Sequence, residues 1–194
     1  MLDLHRRTLE HGAAVVAGIG DDQWEAATPC AGWTLRDLLT HMIRENRGFA
    51  AAADGETCDR SVWTSPVGPD LRADYLASAA RVVVAFGTPG VLERRFWLPL
   101  IDADLLYPAR QAVGFHLLDY LVHGWDVAVS VGRTVDFDPD LVAAVTEIGY
   151  REVPDGPRRR RTGASFRPAL PVPPDAPALD RILAHLGRDP HWTR

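Results

Sequence analysis

Along most of the chain, hydrophobic residues recur every three, four or seven positions, which is the period of amphipathic helices. A first helix is predicted from Leu2 to about Ile19, where Gly20 and the two aspartates after it end the pattern. A second helix is predicted from Thr34, because its hydroxyl and the carboxyl group of Asp37 have the spacing of a capping box. The same period predicts further helices over Leu71–Phe86, 108–131, 139–152 and 179–186.

Two internal segments depart from this helical period. Residues 91–100 alternate between the two faces of an extended chain, and with the turn near Asp102 they predict a short β-hairpin. Because two strands alone are marginally stable, this hairpin is expected to lie as a flap on the helices. Residues 55–69 hold turn residues without a sustained period and are predicted to form a loop.

The last forty residues change in composition. Prolines are dense between residues 168 and 177, so this stretch can form neither a helix nor a central strand. We expect it to lie extended across the helices and to end in the short helix predicted over 179–186. The chain is therefore predicted to be one all-α domain over 1–194, with a helical bundle in 1–153 and a packed tail in 154–194.

Composition and charge limit the possible functions. The chain has 194 residues, of which 46% are hydrophobic, which is enough for one domain with a sizeable core. Its 21 basic and 26 acidic residues give a net charge of −5, which argues against a nucleic-acid partner. No apolar run approaches the ~20 residues of a membrane span. A cytoplasmic monomer or homodimer is expected, and its two cysteines, Cys30 and Cys58, are expected to be reduced.

Three residues on two predicted helices are candidate metal ligands. His41 belongs to the second helix, while Asp119 and His123 lie four residues apart on the longest one and so share a face. If these helices face each other, the three side chains reach one point and leave coordination positions open, as in catalytic zinc sites. Two alternatives stay open: a helix histidine is often a packing residue, and Asp119 with His123 also suits an ordinary pair of helix neighbours.

Two further residues are candidates for acid–base catalysis. Glu45 follows His41 by one turn, where it would accept a proton from a metal-bound water or thiol. Its alternative is a solvated acid paired with Arg44 or Arg47. His116 lies two turns before the histidine of the candidate metal site on the same helix, and its alternative is a histidine bonded to a neighbouring helix.

The neighbours of these candidates have simpler interpretations. Trp33 and Trp125 are interpreted as core packing that keeps water out, and Asp126 as a residue that either orients an imidazole or caps a turn. Cys30 is interpreted as a small buried side chain, because no basic residue is obviously placed to activate its thiol. The four arginines at 158–161 are interpreted as a solvated loop.

Three segments carry a resemblance to a known family. The first reads Thr-Pro-Cys-x-Gly-Trp-Thr over 28–34 and continues through Asp37-Leu38 to His41; the second reads Leu-Val-His-Gly-Trp-Asp over 121–126; the third is the tail over 171–190. The chain resembles the actinobacterial DinB-like family that includes mycothiol-dependent maleylpyruvate isomerase. Because the three segments lie at the beginning, middle and end, the resemblance extends over nearly the whole chain.

The resemblance implies a DinB-like four-helix bundle with a long crossover connection and a metal, usually zinc, held between helices. The ligands of the family correspond to His41, Asp119 and His123. This chain departs from the isomerase by having an aspartate where that enzyme has a glutamate. It also lacks room for the larger C-terminal domain that contributes to substrate binding in the isomerase.

These observations predict an enzyme that uses a divalent metal, with zinc as the first choice, on a small electrophilic molecule. The resemblance implies mycothiol as the thiol, in S-transfer or thiol-assisted isomerisation. One alternative keeps the metal as a Lewis acid or as the activator of water, in a hydrolase, lyase or cyclase without a thiol. A second alternative is a non-catalytic binding bundle whose metal site is vestigial.

Overall fold

A computed structural model describes residues 1–161 and 163–193 of the chain. Within this part the protein is mostly helical, as predicted, with six α-helices, one two-stranded sheet and three short 3-10 turns. The helices are α1 (Leu2–Ala17), α2 (Leu35–Asp54), α3 (Leu71–Phe86), α4 (Ala109–Ser130), α5 (Pro139–Glu152) and α6 (Ala178–His185), and the strands are β1 (Arg95–Trp97) and β2 (Leu106–Pro108).

The start of α2 is fixed by the predicted capping box. The Asp37 N–H donates to the Thr34 hydroxyl, and the Asp37 carboxylate accepts a hydrogen bond of 2.9 Å from the Thr34 N–H. These bonds satisfy two of the backbone donors that every helix N-terminus leaves free. At its other end α2 stops at Gly55, whose φ of 105° lies in the left-handed region that favours glycine. The cap sets where His41 and Glu45 lie along the helix.

Helices α1 to α4 pack side by side around one apolar core. The closest pairings are α2 with α3 and α1 with α4, and α2 also packs on α4. The buried face of α2 includes Leu35, Leu38, Leu39, Met42 and Phe49. Because α2 and α4 are in contact, side chains on their facing surfaces can meet.

Helix α4 is the most buried element. It is buried on nearly all sides, since α1, α2, α5 and both strands pack against it. No helix in the part of the chain that the structure describes is long and apolar enough to cross a membrane. The polar side chains of α4, such as His116 and Asp126, are therefore enclosed by protein and need partners there.

The predicted hairpin is present, but its strands lie in other places than the alternation indicated. Strand β1 pairs antiparallel with β2, and Phe96 lies opposite Tyr107. Residues 91–93 form a 3-10 turn instead of a strand, because Gly90 turns the chain with φ 75° and the Arg94 N–H donates to the Val91 carbonyl. Phe96 is fully buried, so the hairpin is anchored on the helices as expected.

The tail packs on α4 and α5. Helix α6 contacts α5, and its residues Ile182 and Leu183 are fully buried together with Leu186 just beyond it. The four-arginine run is not entirely solvated, contrary to the sequence interpretation. Arg159 is buried because its guanidinium donates to the carbonyl groups of Arg167 and His185, which ties the extended segment to α6.

Replacement of Leu183 by alanine tests this packing. Leu183 is fully buried, so the cavity left by the alanine should lower the free energy of unfolding by about 2–5 kcal/mol. The melting temperature should fall by about 5 °C or more. Leu170→Ala is the matched control, because this leucine of the same tail is 41% exposed. Thermal unfolding followed by circular dichroism should separate the two variants, and equal melting temperatures would show that the tail contributes no stability.

Candidate metal centre

The structure brings together the three predicted ligands, His41 of α2 and Asp119 and His123 of α4. One carboxylate oxygen of Asp119 lies 3.4 Å from Nε2 of His123, and the other lies 3.9 Å from Nε2 of His41. The two imidazole rings meet edge to face, with centroids 5.2 Å apart. One potential ligand atom from each residue lies within 4.8 Å of the other two.

The chemistry of this cluster fits a divalent metal. Two imidazole nitrogens and one carboxylate oxygen are a donor set typical of catalytic zinc, and three protein ligands leave a position open for a small molecule. The Asp119 carboxylate lies between the two histidines, with one oxygen near each Nε2 atom. His41 and Asp119 are partly exposed while His123 is buried, so the open side of the cluster faces out of the protein.

Behind the cluster, Asp126 fixes the orientation of His123. Nδ1 of His123 donates a hydrogen bond of 2.9 Å to the Asp126 carboxylate, which is fully buried. This bond leaves Nε2 of His123 directed towards Asp119. A carboxylate that holds the second nitrogen of a histidine is the usual support of a histidine metal ligand. Of the two roles considered for Asp126, the structure supports the orientation of the imidazole.

Sequence analysis missed Arg188, which comes from the tail to meet Asp126. Its Nε and Nη2 atoms donate to the Asp126 carboxylate over 3.1 to 3.3 Å, and Nη2 also lies 3.3 Å from the Cys30 sulfur. The expectation that no basic group lies near Cys30 is therefore wrong. The signal that was available is Asp126 itself, because a carboxylate inside a helix buried on nearly all sides requires a cationic partner.

Burial and charge set the protonation of the cluster. Burial, together with the neighbouring His123, lowers the pKa of His41 to about 4, so His41 is neutral at pH 7. Burial would lower the pKa of His123 as well, but the charge of Asp119 and the hydrogen bond to Asp126 outweigh it and raise that pKa well above its ordinary value. For Asp126, burial is outweighed by Arg188 and His123, which hold its pKa below the usual range.

Glu45 lies beside the cluster, and none of the described arginines forms an ion pair with it. Burial and the nearby charge of Asp119 raise the pKa of Glu45 to about 8. The alternative of a solvated acid paired with an arginine is not observed among the described residues: Arg44 donates to the Ser65 carbonyl, and Arg47 pairs with Asp74. Glu45 therefore has the environment of a proton-transfer group whose pKa lies near neutral pH.

The structure does not bring His116, the other predicted catalytic residue, to the cluster. Its Nδ1 is hydrogen-bonded over 2.9 Å to Nε2 of His5 on α1, and its ring stacks on Tyr120 at 4.1 Å. His116 is fully buried, and burial lowers its pKa well below the ordinary value. These contacts are those of a packing residue bonded to a neighbouring helix, which was the alternative to a catalytic role.

A cleft of about 440 Å³ opens beside the cluster, with His41 in its lining. Trp33 is 39% exposed and lies against the His41 ring at 5.1 Å, so it forms a wall of the cleft and not the buried packing predicted from the sequence. Trp125, by contrast, is buried as predicted. The lining combines aromatic, aliphatic and charged side chains: Gly32, Trp33, Asp37, Thr40, His41, Arg44, Glu45, Trp63 and Leu100.

Relatives of the chain match over nearly its full length. Two uncharacterised proteins of Mycobacterium tuberculosis, from strains CDC 1551 / Oshkosh and ATCC 25618 / H37Rv, are each 32% identical to it over 189 residues. Each match covers 95% of this chain and 95% of the relative.

Solved structures agree with this fold. Crystal structures of the mycothiol-dependent maleylpyruvate isomerase and of a histidine-to-alanine mutant of it superpose with TM-scores of 0.58 and 0.60, at 18% and 17% identity. The superposition covers 79% of this chain and 68% of theirs. The family model of the mycothiol maleylpyruvate isomerase N-terminal domain matches residues 5–128, which include His41, Asp119 and His123. The chain therefore belongs to the family of the mycothiol maleylpyruvate isomerase N-terminal domain.

Proposed function

We propose that this protein is a metal-dependent enzyme that uses a low-molecular-weight thiol against a small electrophilic molecule, in S-transfer or thiol-assisted isomerisation. The observation that carries the proposal is the convergence of His41, Asp119 and His123 beside an open cleft that His41 lines, with His123 oriented by a buried carboxylate. Membership of the mycothiol maleylpyruvate isomerase family makes mycothiol the thiol of choice. We also propose that α1 to α4 are the four-helix bundle of this family.

The metal would be held by Nε2 of His41, Nε2 of His123 and the carboxylate of Asp119. Zinc suits this donor set, and when bound it lowers the pKa of a coordinated thiol so that the thiolate is present at neutral pH. His41 is already neutral and so offers a free lone pair. His123 receives its orientation from Asp126, which keeps Nδ1 engaged and Nε2 directed towards the cluster.

Glu45 is the proposed acid–base group. It lies one turn beyond His41 in the lining of the cleft, and its pKa of about 8 in the metal-free protein is close to neutral pH, as suits a proton-transfer group. In the proposed reaction the thiol proton passes to the Glu45 carboxylate while the sulfur adds to one carbon of the substrate's conjugated double bond, whose electron pair moves into the conjugated carbonyl or carboxyl group. For S-transfer the carbon–sulfur bond remains and Glu45 returns the proton to the neighbouring carbon. For isomerisation the former double bond rotates, the electron pair returns to re-form it as the carbon–sulfur bond breaks, and the released thiolate takes its proton back from Glu45.

The cleft indicates the kind of substrate. Trp33, Trp63 and Leu100 provide apolar and aromatic walls, which suit a flat unsaturated molecule. Arg44 lies in the same lining, with its Nε held by the Ser65 carbonyl, so its guanidinium is placed to receive an anionic group. An unsaturated carboxylic acid satisfies both features. The structural neighbours are named for an isomerase of maleylpyruvate, which agrees with this class.

The metal site is tested by removal of its ligands. Protein purified without chelator should contain about one divalent ion per chain, and His41→Ala or His123→Ala should abolish binding because two donors are too few to hold the ion. Asp119→Asn should weaken binding less, since an amide oxygen still coordinates but lacks the charge. His11→Ala, which removes a histidine outside the cluster, is the control. Elemental analysis gives the result, and full occupancy in both cluster histidine variants would refute the site.

The use of a thiol is tested with the metal-loaded protein, mycothiol and a panel of unsaturated carboxylic acids. Consumption of the acid should require both thiol and metal, and the rate should rise with pH with a midpoint below the free thiol pKa of roughly 8.5. Protein stripped of metal is the control. Turnover at an equal rate without thiol would contradict the proposal and favour a hydrolase, lyase or cyclase.

The environment of Glu45 is tested by the pH dependence of stability in metal-free protein. The unfolded chain releases the Glu45 proton near pH 4.5, while the folded protein holds it to about pH 8, so ionisation destabilises the fold across this window. The melting temperature of Glu45→Gln should therefore equal that of the wild type near pH 4 and lie several degrees above it beyond pH 8. The control is Glu147→Gln, an exposed acid on α5, whose difference from wild type should stay flat. An equally flat difference for Glu45→Gln would show that its pKa is ordinary.

A further inference from the structure

Arg188 of the tail lies against the buried side of the candidate metal centre. Helix α6 is anchored by its buried residues Ile182 and Leu183, and the chain then turns at Gly187 with φ 81°. The Arg188 N–H donates to the Leu183 carbonyl at 2.9 Å, which fixes the start of the arginine. Its side chain is only 7% exposed and forms an ion pair of 3.1 Å with Asp126.

We propose that Arg188 is a positioning residue for the metal ligand His123 and excludes metal from a competing group of donors. This inference rests on the proposed metal site. Arg188 holds the carboxylate of Asp126 in place, and Asp126 in turn holds Nδ1 of His123. The chain of contacts from Arg188 to His123 directs Nε2 of that histidine to Asp119.

The competing donors are Cys30, His123 and Asp126. One potential ligand atom from each lies within 4.8 Å of the other two, and a thiolate, an imidazole and a carboxylate are all ligands that zinc accepts. A metal there would take Nδ1 of His123 and replace the hydrogen bond to Asp126. The same histidine would then no longer have the fixed orientation that the cluster with His41 needs.

The guanidinium of Arg188 already places a positive charge at the donors Cys30 and Asp126. Its Nη2 donates both to the Asp126 carboxylate and to the Cys30 sulfur, at 3.1 and 3.3 Å. The guanidinium cannot lose its charge and repels a divalent ion at this distance. The metal is thereby left to the cluster of His41, Asp119 and His123, whose open side faces the cleft.

The contribution of Arg188 is measured by titration of wild type, Arg188→Met and Arg188→Lys with cobalt(II) and by chelator competition for zinc. Loss of the support of a histidine ligand typically weakens metal binding by about 10–100-fold, and we expect this for Arg188→Met. The cobalt form of this variant should also gain a sulfur-to-metal charge-transfer band, absent from wild type, which disappears in Arg188→Met/Cys30→Ser. Arg181→Met is the matched control. Arg181 is an exposed arginine of α6, and among the described residues its side chain donates a hydrogen bond only to the Ala176 carbonyl.

A merely structural role would lower the melting temperature of Arg188→Met without a change in the cobalt spectrum. If this variant does not fold, Arg188→Lys decides, because lysine keeps the charge but not the two-point contact; its zinc affinity should fall by a smaller factor. Combination with Asp126→Asn should add little further loss, since Arg188 acts through Asp126. Unchanged affinity and spectrum in a folded Arg188 variant would overturn the inference and leave the metal site intact. Absence of metal binding in wild type would overturn both.

Discussion

The buried charge of Asp126 is the constraint on which the site depends. A carboxylate without solvent contact is unstable unless charged or hydrogen-bonding partners surround it. Here Arg188 of the tail supplies the charge and His123 of the same helix supplies the hydrogen bond. The same carboxylate also accepts a hydrogen bond of 3.3 Å from the Cys30 thiol. One charge thus connects α4, the loop before α2 and the tail.

Helix α4 carries two polar systems that differ in access and charge. His116 is enclosed with His5 in the apolar core, where both imidazoles are kept neutral by burial. His123 is also buried, but Asp119 and Asp126 surround it with negative charge, and its Nε2 faces a partly exposed carboxylate. A histidine on a buried helix is therefore not enough to bind a cation. Only the second system suits a cation, because negative charge surrounds its histidine and one side of it is open to solvent.

Local patterns in the sequence predicted the elements and the part of the site that lies on single helices. The period of α2 and its capping box placed His41, and the spacing of Asp119 and His123 placed them on one face of α4. Contacts between distant segments were not accessible in this way. Arg188 lies 62 residues after Asp126, just beyond the last predicted helix, so nothing local linked the two. The placement of the hairpin failed because Gly90 turns the chain where alternation alone indicated a strand.

The three candidate metal ligands therefore lie on α2 and α4, while Arg188, which holds Asp126 behind them, lies in the tail. The family match ends at residue 128 and includes Asp126, while its cation lies beyond that limit. Residues 1–153 would keep every candidate ligand but would leave Asp126 without its cation, with the His123 imidazole and the Cys30 thiol as its partners. Breaking one side of a buried ion pair costs about 3–5 kcal/mol, a large fraction of the stability of a domain of this size. Because this cost falls on the residue that orients His123, we expect folding of the tail and organisation of the candidate metal site to be coupled.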